Sequence, residues 1–273
     1  MKLILAQPAT SRFQWELEVL LTNVRQFTDS EIILLFTEND FTVPMHFRKK
    51  PGVSVFVYDD PHLDYLPANR PYLLWHYFKE HPEAEKEEYF YIDSDIIFRE
   101  WIDFATLGIK ANKVVGSTCD HYIGYQYIIG CRQGPEIGLK MAEICGITTD
   151  QMKNVPGIGA HIVFKNTSAE FWKRCYFDSI SIYQYLEGVD SNIQKWTAEM
   201  WAQLWGWVRE GKTIEASPEL DFRLPTDDIK KWDEVKIMHN AGITVQQSFE
   251  YFFKGEYDKK SPFGRDFSHV RKD

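Results

Sequence analysis

Two aspartates one residue apart, Asp93 and Asp95, follow the apolar segment 89–92 and precede the apolar segment 96–98. Segment 89–92 has the length and composition of a buried strand. Two carboxylates at the exit of a strand can both reach one hard cation, because such cations prefer oxygen ligands. A cation held there would offset the charge of a bound diphosphate and of its leaving group. The alternative interpretation is a pair of solvated or helix-capping aspartates.

The overall composition limits the possible partners. The chain has 273 residues and a formal net charge of −9. This length fits one large α/β domain. The negative charge argues against a basic nucleic-acid-binding footprint over the whole chain, although local basic patches remain open. The sequence contains neither a signal-peptide pattern nor an apolar run long enough to span a bilayer, so we expect a cytoplasmic protein without membrane insertion. The oligomeric state is not indicated.

The elements that must position the two aspartates alternate along the chain. Hydrophobic patterning predicts strands at 2–6, 32–36, 53–58, 89–92, 113–117, 158–165 and 235–238. Helices are predicted at 13–27 with Ser11 as N-cap, and at 71–81, 135–145, 169–185 and 193–209. This order predicts an α/β fold with a mainly parallel sheet and helices on both faces. Ligands of such sheets bind at the carboxyl ends of the strands, where Asp93 and Asp95 lie.

A known fold family shares this motif. Residues 89–98 resemble the D-x-D strand of glycosyltransferases with the GT-A fold. The resemblance implies a Rossmann-like, mostly parallel central sheet flanked by helices, with a helical C-terminal part. It also implies a Mn²⁺ or Mg²⁺ ion between Asp95 and the donor phosphates. Asp93 would bind the metal or the donor ribose, and Ser94 would belong to the donor site.

Two further segments resemble plant-type transferases. Residues 69–72 are similar to the [KR]-P-[YW] segment of hydroxyproline O-arabinosyltransferases and peptidyl serine galactosyltransferases, which implies that Arg70 binds the donor. Its guanidinium suits bidentate binding of phosphate, and a surface ion pair is the alternative.

Residues 196–202 are similar to the W-x-x-E-M-Y-A segment of the same enzymes. Burying a glutamate among aromatic residues is costly unless it is paired or used, so we expect Glu199 to face the transferred sugar or the acceptor. A structural hydrogen bond is the alternative for Glu199.

The segment from His239 to Gly242 resembles the H-x-x-G motif of glycogenin-like transferases. The resemblance implies that His239 is the third protein ligand of the metal, and imidazole suits manganese beside carboxylates. Gly242 would lie at the donor. A downstream lysine approaches the diphosphate in those enzymes, and Lys254 is the candidate here, although it stands further from the histidine than in their pattern.

The remaining candidates lie at the predicted ends of strands. Residues 156–161 resemble the glycine-containing strand entry that lines the donor-sugar pocket in GT-A enzymes, where glycine permits close backbone approach. Asp120 follows a predicted strand and is a candidate catalytic residue that could bind sugar hydroxyls. The other candidate donor-binding residues are Gly157, Gly159 and Ala160 for the sugar, and Pro8, Ala9, Thr10 and Asp59 or Asp60 for the nucleoside.

The motif order predicts one GT-A-like domain over 1–273. Residues 1–110 would form the nucleotide-donor half, ending in the D-x-D strand, and residues 111–273 the sugar and acceptor half. The implied reaction transfers a sugar from a nucleotide diphosphate sugar, a UDP-sugar, to a hydroxyl, with retention inferred from the families above. The pattern is also similar to glycosyltransferases of tailed bacteriophages, several of which modify hydroxymethylated pyrimidines in DNA. Modified DNA, protein hydroxyls and glycans are therefore all open as acceptors.

Two other classes of protein share part of this pattern. A sugar-phosphate nucleotidyltransferase also uses paired aspartates and a metal, but it usually carries a glycine-rich basic loop near the first strand, and residues 7–12 have no glycine. A non-catalytic sugar-binding module would fit the aromatic content of 15%. Such a module would leave the D-x-D and H-x-x-G motifs without a use.

Overall fold

Ten strands form two sheets in the computed structural model, which describes residues 1–270. In chain order the strands are β1 (Lys2–Pro8), β2 (Ile32–Thr37), β3 (Val53–Tyr58), β4 (Glu88–Tyr91), β5 (Ile96–Phe98), β6 (Lys113–Thr118), β7 (Ile158–Lys165), β8 (Thr213–Ala216), β9 (Phe222–Arg223) and β10 (Ile237–His239).

The helices surround these strands. In chain order they are α1 (Ser11–Val24), α2 (Thr42–Phe47), α3 (Asn69–Glu80), α4 (Asp120–Ile123), α5 (Tyr125–Gly130), α6 (Gly134–Cys145), α7 (Thr149–Asn154), α8 (Ala169–Glu187), α9 (Ala198–Arg209) and α10 (Lys231–Glu234). Within residues 1–270, no helix combines the length and the apolar character needed to cross a bilayer.

The central sheet has seven strands in the order β3-β2-β1-β4-β7-β6-β8. Its neighbouring strands run parallel, except that β7 is antiparallel to both β4 and β6. A second sheet of three short strands, in the order β5-β10-β9, lies beyond the carboxyl end of β4. The predicted fold class, a mostly parallel GT-A-type sheet flanked by helices, is confirmed.

Alternating side chains of the parallel strands enter cores on opposite faces of the sheet. Leu3 and Leu5 of β1 pack with α1, whereas Ile4 packs in the core that contains α3, α8 and α9. All six residues of β2 are buried, as expected for a strand covered on both faces. The core that contains α3, α8 and α9 includes two of the largest fully buried side chains, Trp172 and Trp207.

Several predicted element boundaries were wrong, and the helix predicted at 13–27 ends three residues early, at Val24. Thr10, not Ser11, precedes the first residue of α1, and its backbone is extended (φ −126°, ψ 163°). The helix predicted from residue 193 begins at Ala198 after a 3₁₀ turn, because tertiary contacts such as the hydrogen bond from the Gln194 amide to the Tyr127 hydroxyl (2.8 Å) hold the preceding chain. The strand predicted at 235–238 lies at Ile237–His239, where it pairs with β5.

Candidate active site

The second sheet brings the D-x-D segment and the H-x-x-G segment together. β4 ends at Tyr91, and Asp93 and Asp95 occupy the connection to β5. β10 pairs antiparallel with β5, so that His239 lies opposite Ile96, and the Asn240 amide donates to the carbonyl of Asp95 (2.8 Å). A residue late in the chain is therefore fixed beside the aspartates by backbone pairing.

Asp93, Asp95 and His239 form a cluster with the geometry of a metal site. One ligand atom from each lies within 4.8 Å of the other two. His239 Nε2 is 3.2 Å from Asp95 Oδ1 and 3.7 Å from Asp93 Oδ2. Two carboxylates and an imidazole suit a divalent ion such as Mn²⁺ or Mg²⁺. The donor set that the structure brings together thus fits the ion that the sequence motifs imply.

Lys254 also reaches this cluster. Its ammonium group donates to Asp95 Oδ2, 159 residues away in sequence. Burial alone would raise the pKa of Asp95, but the adjacent charges of His239 and Lys254 outweigh burial and hold that pKa well below its ordinary value. Asp95 is therefore an anion ready to bind a cation.

Arg70 connects the aspartates to the second half of the chain. Its Nη2 donates to Asp93 Oδ1 (2.7 Å), and its Nη1 lies 3.3 Å from Glu199 Oε2. The guanidinium stacks over the Tyr91 ring, 4.3 Å from the centroid, and the Tyr91 hydroxyl donates to the same Asp93 oxygen (3.1 Å). This arrangement is a partly buried ion-pair network, in which the Arg70 side chain is 15% exposed and Asp93 is 24% exposed, so Arg70 forms an ion pair within the site; its contact with a donor stays a prediction.

Glu199 is held at the first turn of α9 by Tyr65. The Glu199 amide donates to the Tyr65 hydroxyl (2.9 Å), which itself donates to the Trp196 carbonyl (2.7 Å). The side chain is only 3% exposed, and burial raises the pKa of its carboxyl to about 7, against the opposing charge of Arg70. Within the described chain, Glu199 Oε1 is buried without a hydrogen-bond partner, which is unusual for a buried polar atom.

The predicted donor-sugar segment enters β7 beside Asp120. The Gly157 amide donates to Asp120 Oδ1 (2.6 Å), so this carboxylate holds the turn before the strand. A Cβ at Gly157 would lie 3.0 Å from the backbone of Asp120. A Cβ at Gly159 would lie 2.0 Å from the Met200 Cε, beside Glu199 in sequence. Gly159 therefore faces α9, and Ala160 follows it with a left-handed backbone (φ 54°).

Two of the predicted donor contacts already have hydrogen-bond partners within the protein. Ala9 is fully buried, and its amide and carbonyl are engaged with Thr37 (3.2 Å) and Asp40 (2.9 Å), because it lies inside the strand–helix connection. The buried Ser94 donates its hydroxyl to Glu16 Oε2 (2.6 Å). Both side chains therefore contribute to the packing around the site, and their contacts with a donor stay predictions.

The other predicted donor contacts lie at or near ends of strands. Pro8 and Thr10 are partly buried at the end of β1, and Asp59 is exposed after β3. Asp60 accepts hydrogen bonds from Asn39 and from the His62 amide (2.8 Å). Gly242 follows β10 with φ 80°, a conformation that favours glycine. Their contacts with a nucleotide stay predictions.

Sequence reasoning missed Glu16, which is 1% exposed on α1. Its carboxylate accepts hydrogen bonds from Arg12 Nε (2.8 Å) and from Ser94. Burial, and then the charge of Asp95, raise the pKa of Glu16. The spacing of four residues between Arg12 and Glu16 was a usable signal for their pair, whereas the contact with Ser94 had none in the sequence.

Comparison with solved structures supports the fold. The chain is similar to the apo structure of the bifunctional glycosyltransferase WbbM, with a TM-score of 0.50 and 11% sequence identity. The match covers 89% of this chain and 46% of the other chain, so the protein spans less than half the length of that relative. No family model and no curated protein matches the sequence. At this identity the likeness is one of fold.

Proposed function

We propose that the protein is a metal-dependent glycosyltransferase that uses a nucleotide diphosphate sugar as donor. The observation that carries the proposal is the cluster of Asp93, Asp95 and His239 at the carboxyl edge of a GT-A-type sheet. The proposal is supported by two neighbours of this cluster, since the cation Arg70 lies 2.7 Å from Asp93 and 3.3 Å from the buried acid Glu199.

Each residue has a distinct task in this proposal. Asp95 and His239 hold the metal, and Asp93 binds the metal or the donor ribose. The metal would supply charge stabilisation to the diphosphate leaving group. Arg70 binds a phosphate oxygen through its guanidinium, and Lys254 approaches the diphosphate. Glu199, with its pKa near neutrality, accepts a hydrogen bond from a sugar hydroxyl or donates one to it.

The finer assignments rest on the sequence resemblance. A UDP-sugar is the proposed donor, Mn²⁺ the proposed metal, and front-face transfer with retention the proposed course. The acceptor is a hydroxyl group, with hydroxymethylated pyrimidine in phage DNA as one candidate and protein or glycan hydroxyls as the others. The net charge of −9 weighs against DNA. The cytoplasmic location and the division into donor and acceptor halves stay predictions.

Release of UDP from a panel of UDP-sugars in the presence of Mn²⁺ tests the proposal. Wild-type protein should release UDP from one donor, and UDP with Mn²⁺ should raise its melting temperature. Asp95→Asn should abolish metal-dependent UDP binding and leave the circular dichroism spectrum unchanged. Asp29→Asn is the matched control, because Asp29 is exposed in the connection between α1 and β2.

Two outcomes would contradict the proposal. One is a wild-type protein that neither releases UDP, with or without candidate acceptors, nor gains thermal stability from UDP and Mn²⁺. The other is an Asp95→Asn variant that binds UDP and Mn²⁺ as the Asp29→Asn control does, which would place the metal elsewhere.

A further inference from the structure

A second histidine lies behind the proposed metal ligand. His161, on β7, is fully buried, and its ring centroid is 5.3 Å from that of His239. Phe222 of β9 packs against both rings, at 5.0 Å from His161 and 5.2 Å from His239. His161 therefore comes from the central sheet and meets His239, which comes from the second sheet.

The polar atoms of these two rings are incompletely satisfied. Within residues 1–270, neither ring nitrogen of His161 nor Nδ1 of His239 has a hydrogen bond of ordinary geometry, although the backbone of Leu220 lies near enough to interact with the His161 ring. His239 turns its other nitrogen, Nε2, toward Asp93 and Asp95. Because buried polar atoms are nearly always paired, unpaired nitrogens on two adjacent rings point to an interaction between them.

The backbone of β7 is irregular at this position. Ser117 of β6 pairs with Gly159, but its neighbour Gly116 pairs with Ile162, so two residues of β7 are inserted between these pairs. The inserted residues are Ala160, whose φ is 54°, and His161, whose amide donates to the Ser117 hydroxyl (3.4 Å). Bulges re-aim side chains beside functional sites, and a left-handed backbone is unfavourable for alanine. The bulge gives His161 its direction.

We propose that His161 is a positioning residue for His239. One nitrogen of the His161 ring accepts the Nδ1–H of His239, which leaves the lone pair of Nε2 facing Asp93 and Asp95. A ligating histidine almost always donates its other N–H in this way, because that bond fixes the tautomer and the ring orientation. The two rings do not form this bond in the described geometry, but with centroids 5.3 Å apart a rotation of either ring can bring one nitrogen of each within hydrogen-bond distance. The inference rests on the proposed metal site.

A neutral imidazole has one acceptor nitrogen, whereas an imidazolium has none, so the proposed bond requires His161 in its neutral form.

The inference is tested by measuring the affinity of the full chain for Mn²⁺ alone. Calorimetry and the electron paramagnetic resonance signal of free Mn²⁺ both report this affinity. His161→Phe keeps a ring and removes the acceptor, so we expect a loss of about 10–100-fold in Mn²⁺ affinity. His161→Asn and His161→Gln place an amide oxygen near the positions of Nδ1 and Nε2, and one of them should recover most of that affinity. The visible spectrum of bound Co²⁺ should shift in His161→Phe.

The outcomes separate this inference from the proposed function. A His161→Phe variant that binds Mn²⁺ as tightly as the control His121→Phe, in which an exposed ring is replaced, overturns the positioning role. So do amide variants that are both as weak as His161→Phe, because the effect would then be one of packing. If His161→Phe does not fold, comparison of the two amide variants decides. Wild-type protein that binds no Mn²⁺ overturns the proposed metal site itself.

Discussion

Arg70 and Glu199, separated by 129 positions in the chain, meet with 3.3 Å between Nη1 and Oε2. The same guanidinium donates to Asp93 (2.7 Å). One side chain at the start of α3 therefore joins the D-x-D segment to the first turn of α9. Arg70 therefore links a carboxylate from the first half of the chain to one from the second half.

Replacing Arg70 should affect stability and donor binding differently. Arg70→Ala leaves Asp93 and Glu199 without their shared cation, so we expect a loss of about 3–5 kcal/mol in the free energy of unfolding. Arg70→Lys keeps the charge but loses the planar fork, so most stability should remain while UDP affinity in the presence of Mn²⁺ falls. Urea denaturation and calorimetry measure the two effects. UDP affinity of Arg70→Lys equal to that of the exposed control Arg132→Lys would contradict the phosphate role.

Glu199 should make stability depend on pH. The pKa of its carboxyl is raised from 4.5 to about 7, so its favourable contribution is complete below pH 4.5 and is lost as the pH rises to 7. This shift corresponds to about 3 kcal/mol across that range. Glu199→Gln should flatten the profile, so its stability relative to wild type increases between pH 5 and pH 8. Denaturant unfolding at several pH values checks this, and parallel profiles for the two proteins would refute it.

The sequence predicted the fold better than it predicted the site. Strand β2 is a nearly uninterrupted apolar run, and the helical period of α1 is clear. Local patterns were therefore sufficient to predict the strands of the sheet and the helices that cover it. The triad of Asp93, Asp95 and His239 was identified through motif resemblance. The contact of Glu16 with Ser94 depends on the packing of α1 beside β5, which no local pattern encodes. The bulge at Ala160 is equally a tertiary property.

The close approach of β7 to α9 can be tested at Gly159. A Cβ there would overlap only the flexible end of Met200, since its next nearest atom is 3.5 Å away. Gly159→Ala should cost about 1 kcal/mol of stability, at the low end for overpacking, because the end of the Met200 side chain can move away. Adding Met200→Ala should recover part of that loss. Thermal denaturation of the single and double variants measures the coupling, and strictly additive losses would show that the two side chains do not compete for space.

Lys254 should compete with the metal for Asp95. Its ammonium occupies Asp95 Oδ2, one of the oxygens that a cation would bind. Lys254→Met removes the competitor, so we expect Mn²⁺ affinity without nucleotide to rise by about fivefold, which corresponds to about 1 kcal/mol. With Mn²⁺ present, UDP affinity should fall instead, because the variant lacks the ammonium group that is proposed to approach the diphosphate.

The two halves of this last prediction have opposite signs, which a general loss of structure would not produce. Calorimetric titration of Mn²⁺, and then of UDP at saturating Mn²⁺, measures both affinities. Lys259→Met is the matched control, because Lys259 is exposed and lies five residues further along the chain. A Lys254→Met variant with unchanged or weaker Mn²⁺ affinity would show that the ammonium assists the aspartate pair and does not compete with the ion. In that case the lysine would be a fixed part of the metal site.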